Sequence, residues 1–416
     1  MHTWPPLHLV GITHRKAGLD LRERFALARA EIVTLLTGED GPRRRGVALS
    51  TCNRFEVYWY GEHDWPAWFR ETAARRGAPL SPSSMIRRDG HEAARHLFRV
   101  AAGLDAQVVG ETEVLGQVRR AWALARDLGA SCRELDVVFS SATGAGRRIR
   151  REATLDHRPT SIGSVAVAVA ARENGGLNGR SVLLIGAGEA ALGVAEALDG
   201  TGAKVTVISR HMERSAALAR EYPVTIEPWE KLDGLLGASD VAFAVTAARE
   251  SILPADRMSR ARSASAAPLL LVDLGVPRNV EPAVRELPGI RVLDLNDLPT
   301  GVSAPGSEGV LALDVAHRIV EEEVSTCIGR LRALAAGERL AGMHRGGDRI
   351  AEQEVSRLLA ECRDLPEGAQ DAIRRMANRL VRRVLFPAGR ALREVPTLDE
   401  VMEQPDREPE GPERAG

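Results

Sequence analysis

Cys52 stands in the tetrapeptide Thr51, Cys52, Asn53, Arg54, between two strand-like runs, VALS at 47–50 and FEVYWY at 55–60. It is therefore expected on a tight loop between strands. A thiol held in a loop beside a guanidinium is a candidate nucleophile, because a nearby cation favours the thiolate. The basic run His14, Arg15 and Lys16 is a second candidate source of that charge. Cys132, Cys327 and Cys362 fall in helical stretches and suggest no chemistry. No cysteine belongs to a CxxC pair or has a histidine at ligand spacing, so no metal site is expected.

The second constellation is GAGEAA at 186–191, directly after SVLLI and opening the helical run EAALGVAEAL. In that context Gly186 permits a sharp turn and Gly188 lets the backbone approach a pyrophosphate, while the small Ala191 lets the helix pack close to the sheet. Ala187, Glu189 and Ala190 complete the turn, and the helix N-terminus offers NH groups to phosphate. The next strand, KVTVIS, ends in Ser209, Arg210 and His211. An acidic residue there would hold the ribose hydroxyls of NAD. A guanidinium suits a 2′-phosphate instead, which favours NADPH. Thiol and hydride donor together suit reduction of an acyl group, since a thioester accepts hydride where an ester or acid does so poorly.

These residues need an α/β multidomain scaffold. At 416 residues the chain is too long for one ordinary core. Residues 1–158 mix strands, such as LHLVGIT at 7–13, with helices, such as 21–36 and most of 91–172, and read as an N-terminal α+β catalytic domain. Residues 159–308 alternate apolar strands (SVLLIG, KVTVIS, DVAFAVT, PLLLVDLG, IRVLDL) with helices, as in a Rossmann-like doubly wound NADP-binding domain. Residues 309–395 read as an all-helical dimerisation domain, and the Pro- and charge-rich 396–416 as a disordered tail.

A net charge of −1 announces no polyanionic partner, so any RNA contact must be local. Arg374, Arg375, Arg379, Arg382 and Arg383, on the last helix, read as a solvated face. The opening MHTWPPLHLV lacks the features of a secretion signal and no apolar run is long enough for a bilayer, so a cytoplasmic protein is expected.

STCNR at 50–54 resembles the nucleophile motif of glutamyl-tRNA reductases. Further blocks follow in the same order: GITHRKAGLDLRER (11–24), HLFRVAAGLDAQVVGETEVLGQVRRA (96–121), the turn at 186–191, VDLGVPRNVEP (272–282) and MANRLVRRVLFPAGRALRE (376–394). The resemblance implies that Cys52 takes glutamate from glutamyl-tRNA as a thioester, which NADPH reduces to glutamate-1-semialdehyde at the start of tetrapyrrole synthesis. It makes Thr51, Asn53 and Arg54 substrate-binding residues, with Arg54 a bidentate partner for a carboxylate. Ala106, Glu111, Thr112, Glu113 and Gln117 fall on the stretch that closes over the substrate, and His96 matches a histidine important for activity. It also implies a V-shaped homodimer, a spine helix near 310–336, and a downstream partner, glutamate-1-semialdehyde aminomutase.

The chain departs from the family pattern at four positions. Ala106 replaces a serine, Thr112 and Glu113 replace proline and glutamine, and Phe55 replaces a threonine. Losing a hydroxyl and gaining a carboxylate beside a charged substrate alters specificity. Two alternatives stay open: a diverged paralogue that reduces another aminoacyl-tRNA or acyl thioester, and a non-catalytic regulator that binds NADPH or tRNA.

Overall fold

A largely apolar run, buried at every position but His8, makes β1 (Leu7–Thr13) an inner strand of an antiparallel sheet ordered β2-β3-β1-β4, with β2 (Val47–Ser50), β3 (Arg54–Tyr60) and β4 (Ile86–Asp89). The computed structural model describes residues 7–38, 45–77, 80–108, 110–111, 113–153, 161–262, 267–299, 307–362 and 366–393. The chain divides into two units, 1–324 and 325–416.

The helix expected over 21–36 is two helices, α1 (Leu19–Arg24) and α2 (Arg29–Thr37). Between them Phe25 turns fully into the core, stacking on Phe69 at 5.6 Å between centroids, and Glu31 accepts a hydrogen bond from the Ala28 amide to start the second helix. After α3 (Trp65–Arg75) come α4 (Gly90–Ala101), α5 (Glu113–Asp127) and α6 (Arg133–Glu152), interrupted at Gly103 and Gly129, both at positive φ. Gly103 cannot carry a side chain, because a Cβ there would meet the Glu111 backbone oxygen at 2.8 Å. The Gly103 carbonyl also accepts the Gly110 amide at 3.0 Å, which pins Glu111 beside α4.

The second half of the first unit begins with α7 (Ile162–Glu173) and continues β5 (Ser181–Ile185), α8 (Glu189–Leu198), β6 (Lys204–Ile208), α9 (Met212–Glu221), β7 (Val224–Glu227), α10 (Leu232–Ala238), β8 (Val241–Ala244), α11 (Ala255–Ala261), β9 (Leu269–Asp273) and β10 (Ile290–Asp294). These strands form a parallel sheet ordered β10-β9-β8-β5-β6-β7. The order reverses between β5 and β8, the switch point at which such sheets bind dinucleotides. The short β7 was not expected from the sequence: none of its residues is fully buried and they carry no continuous apolar run.

The expected boundary at 158/159 lies in 154–160, outside the described residues. Across that divide the two halves of the unit are bonded to each other. The Arg278 side chain pairs with Asp20 at 2.6 Å and Glu23 at 3.0 Å, and Gln107 donates to the Leu295 carbonyl at 2.5 Å.

From Ser307 the chain forms α12 (Ser307–Glu361), one helix of 55 residues that runs well past the spine expected near 310–336. The stretch 341–349 holds glycines but no proline, and glycine costs about 1 kcal/mol in a helix without breaking it. In the second unit α13 (Glu367–Arg393) exposes Met376, Leu380 and Val384, one turn apart, and its five arginines at 374–383 are exposed. The tail at 396–416 lies outside the described residues. Among the described residues no helix is long and apolar enough to cross a membrane.

Candidate active site

The turn that carries Cys52 is fixed by bonds from several sides. The Thr51 amide donates to the Arg54 carbonyl at 2.9 Å, the Asn53 amide to Thr51 Oγ1 at 3.1 Å, and the His14 amide to the Asn53 carbonyl at 2.8 Å. Arg54 is the first residue of β3 rather than part of the loop. The thiol, although carried by the first sheet, packs on the apolar cluster of the parallel-sheet domain, on which Ala187 of the glycine-rich turn also packs.

Cys52 is partly exposed, yet burial, then Glu111 and Glu113, push its thiol up to about 12, while Arg22 acts in the opposite sense. The basic run expected to favour the thiolate does not do so. Burial, then Arg54, lowers His14 to about 4, leaving it neutral; Arg15 pairs with Asp105 at 2.8 Å; Lys16 is exposed. The cation that acts on the thiol is Arg22 of α1, which donates from Nη1 to the Cys52 carbonyl at 2.8 Å.

Arg54, Glu56 and Tyr58 share one face of β3 by the two-residue period of a strand. Arg54 Nη1 donates to Glu56 Oε1 at 2.9 Å, Tyr58 Oη to Glu56 Oε2 at 2.7 Å, and Arg54 Nη2 to the Asp105 carbonyl. His96, from α4, faces Glu56 through Nε2 at 2.8 Å and Asp105 through Nδ1 at 3.3 Å. Burial would raise Glu56, but Arg54 and His96 outweigh it and hold the carboxyl at about 2. Arg54 is thus committed to a buried network, and the bidentate role expected of it narrows to Nε, which is buried without a partner.

Among the described residues, seven buried side-chain polar atoms lack a hydrogen-bond partner, and five of them belong to His14, Arg22, Asn53, Arg54 and Gln107. Native interiors leave few such atoms, and their concentration around one loop points to a polar ligand. Ala106 and Glu111 are both buried, whereas Glu113 and Gln117 are half-buried on α5; Thr112 lies outside the described residues. Burial, then Glu113, pushes Glu111 up to about 7. Sequence reasoning missed Arg22, Glu56, Tyr58 and Asp105. A charged residue inside the aromatic run FEVYWY was the available signal for Glu56.

At the switch point, Gly186 has φ 126° and a Cβ there would overlap the Val245 carbonyl oxygen, so only glycine fits. A Cβ on Gly188 would meet open space, and as N-cap of α8 Gly188 leaves the first amides of that helix without a side-chain cap. Ala191 is fully buried, as close helix packing requires, and Ala190 packs on the same cluster. Glu189 points outward to Arg120 of α5, 2.7 Å away. At the end of β6 the Ser209 hydroxyl accepts the His211 amide at 3.1 Å, and Arg210 is exposed.

A cysteine loop packed on a doubly wound dinucleotide-binding domain fits a nucleotide-dependent oxidoreductase. The chain matches the N-terminal domain of glutamyl-tRNA reductase over residues 10–153, shikimate/quinate 5-dehydrogenase over 168–300, and the glutamyl-tRNA reductase dimerisation domain over 315–404. It is 35% identical to glutamyl-tRNA reductase 2 of Anaeromyxobacter dehalogenans, covering 93% of this chain and 87% of that one. With the glutamyl-tRNA reductase of Thermomicrobium roseum it shares 36% identity over 94% and 96%. The glutamyl-tRNA reductase structure from Methanopyrus kandleri aligns over 95% of this chain and 100% of its own, at 30% identity and a TM-score of 0.47. The chain belongs to the glutamyl-tRNA reductase family.

Proposed function

We propose that the protein reduces the glutamyl group of glutamyl-tRNA to glutamate-1-semialdehyde, with Cys52 as nucleophile and NADPH as reductant, in the first step of tetrapyrrole synthesis. The observation that carries this reading is the set of unpartnered buried polar atoms on Asn53 and Arg54 of the nucleophile turn, on Arg22, which bonds that turn, and on Gln107. It offers donors, Arg54 Nε and Arg22 Nε, and acceptors, Asn53 Oδ1 and Gln107 Oε1. A ligand that brings both a carboxylate and an ammonium, as an esterified glutamate does, has partners there of both kinds.

Cys52 Sγ attacks the ester carbonyl carbon, a C–S bond forms, the bond to the ribose oxygen breaks, and the thiol proton ends on the released tRNA hydroxyl. The acyl group then stays on Cys52 as a thioester. Gly186 to Ala191 would hold NADPH, with Ser209 and Arg210 for its 2′-phosphate, and the cofactor would supply the hydride that takes the acyl carbon to the aldehyde level, the C–S bond breaking and the Cys52 sulfur regaining a proton from solvent. His96, fixed between Glu56 and Asp105, orients the ester beside the loop.

The family's dimerisation domain, matched at 315–404, supports a homodimer of this chain. A cytoplasmic site of action fits a charged tRNA as substrate, and a reactive aldehyde product favours direct transfer to glutamate-1-semialdehyde aminomutase. Glu113, a carboxylate that helps to raise the Cys52 thiol, is the observation favouring a second reading with a different acyl group. Incubation with glutamyl-tRNA in the absence of NADPH tests the proposal. Intact mass spectrometry is expected to show one glutamyl adduct that maps to Cys52 and is absent in Cys52→Ser; no adduct overturns it, and a preference for another aminoacyl-tRNA selects the second reading.

A further inference from the structure

We propose that Arg22 is a positioning residue that supplies the positive charge required by the Cys52 thiolate and ties the nucleophile loop to the dinucleotide-binding domain. The inference rests on the reading of Cys52 as nucleophile. Arg22 is only 6% exposed, and its three nitrogens have three different situations. Nη1 donates to the Cys52 carbonyl at 2.8 Å, Nη2 donates to Asn296 Oδ1 at 3.3 Å in the segment after β10, and Nε is buried with no partner. An arginine placed in this way costs desolvation, and among the described residues no carboxylate repays it with a bidentate contact.

The charges around the thiol explain the placement. Glu111 and Glu113 both oppose ionisation of Cys52, and Arg22 is the cation that favours it. Burial lowers the Arg22 guanidinium from its ordinary value, whereas Cys52, then Asp294 and Glu23, favour its charge and Arg278 opposes it. The same guanidinium therefore lies between the nucleophile loop and the end of β10, where the Asn296 amide is fixed by Asp294 at 2.8 Å. Seating of the dinucleotide-binding domain and ionisation of the thiol are coupled through one side chain. The unpartnered Nε leaves a donor for a charged group that appears only when the thiol ionises or the substrate arrives.

The test is the pH profile of Cys52 alkylation by iodoacetamide on the full chain, read at the Cys52 peptide by mass spectrometry, which needs neither tRNA nor NADPH. Arg22→Gln keeps a donor for the Cys52 carbonyl but removes the charge, whereas Arg22→Lys keeps the charge. With Gln the midpoint is expected to move to higher pH and alkylation at a fixed pH below it to slow about tenfold, the effect of one pKa unit. Lys is expected to stay near the wild-type profile. An unchanged profile in the Gln variant, or an equal shift in both, overturns the proposal; if Arg22→Gln fails to fold, Arg22→Met takes its place. Failure of the wild-type protein to form the glutamyl adduct would overturn the proposed function while leaving this profile interpretable.

Discussion

Glu56 Oε1 accepts a hydrogen bond of 2.8 Å from His96 Nε2, in a pocket where the glutamate is completely buried. The same oxygen accepts from Arg54, so one carboxylate orients both the strand that follows the nucleophile and the histidine of α4. The motif around Cys52 thus depends on a residue that touches neither substrate nor cofactor in the proposed reaction.

Glu56→Gln is expected to destabilise the protein by about 3 kcal/mol, since removing one partner of a buried ion pair leaves the other charge uncompensated. The Glu56 carboxyl, at about 2, lies below its ordinary 4.5, so its stabilising contribution is complete above that value and is lost as pH falls toward 2. Urea unfolding in steps from neutral to acid should show the wild-type advantage over Glu56→Gln shrink through that window. A constant gap between the two proteins would show that the carboxylate charge is not what matters.

The parallel-sheet domain and its glycine-rich turn were legible because each rests on local pattern. Five of the parallel strands are apolar runs, and Gly186 lies where a sharp turn must leave β5. β4 was not legible, since three residues of Ile86–Asp89 face solvent and only hydrogen bonding to β1 makes them a strand. Arg22 was hidden for a different reason. On an amphipathic helix a charged residue ordinarily faces water, and only the tertiary approach of the 51–53 turn and Asn296 turns it inward. The basic run at 14–16 misled because charge near in sequence was taken for charge near in space, whereas burial leaves His14 neutral and Arg15 belongs to Asp105.

Gly186→Ala should abolish dinucleotide binding. Its φ of 126° is strained for any L side chain and the added methyl would meet the Val245 carbonyl oxygen, at a cost of roughly 2 kcal/mol or more. The measurement is NADPH fluorescence titration together with a thermal melt. A variant that binds NADPH like the wild type would place the cofactor elsewhere.

Arg210→Ala tests the phosphate reading. If the guanidinium meets the 2′-phosphate, the KM for NADPH should rise about tenfold, as befits loss of a charge-assisted hydrogen bond, while the KM for NADH stays the same. Equal changes for both cofactors would assign Arg210 a structural role, and no change would leave the preference to Ser209 or His211.

Glu111→Gln should act on the thiol in the direction opposite to Arg22→Gln. Burial raises the Glu111 carboxyl from 4.5 to about 7, so the folded protein prefers it protonated: the associated stability is complete below 4.5 and is lost as pH rises through 7. The Gln variant, which never ionises, should therefore match the wild type in acid and exceed it above neutrality by on the order of 1–3 kcal/mol. It also removes a negative charge that opposes the Cys52 thiolate, so Cys52 should alkylate faster at a fixed pH and with a midpoint moved to lower pH. Stability and alkylation profiles on the same preparations decide the matter. A Glu111→Gln variant that is no more stable at alkaline pH, with an unmoved thiol midpoint, would mean that this carboxylate is solvated and distant from the sulfur.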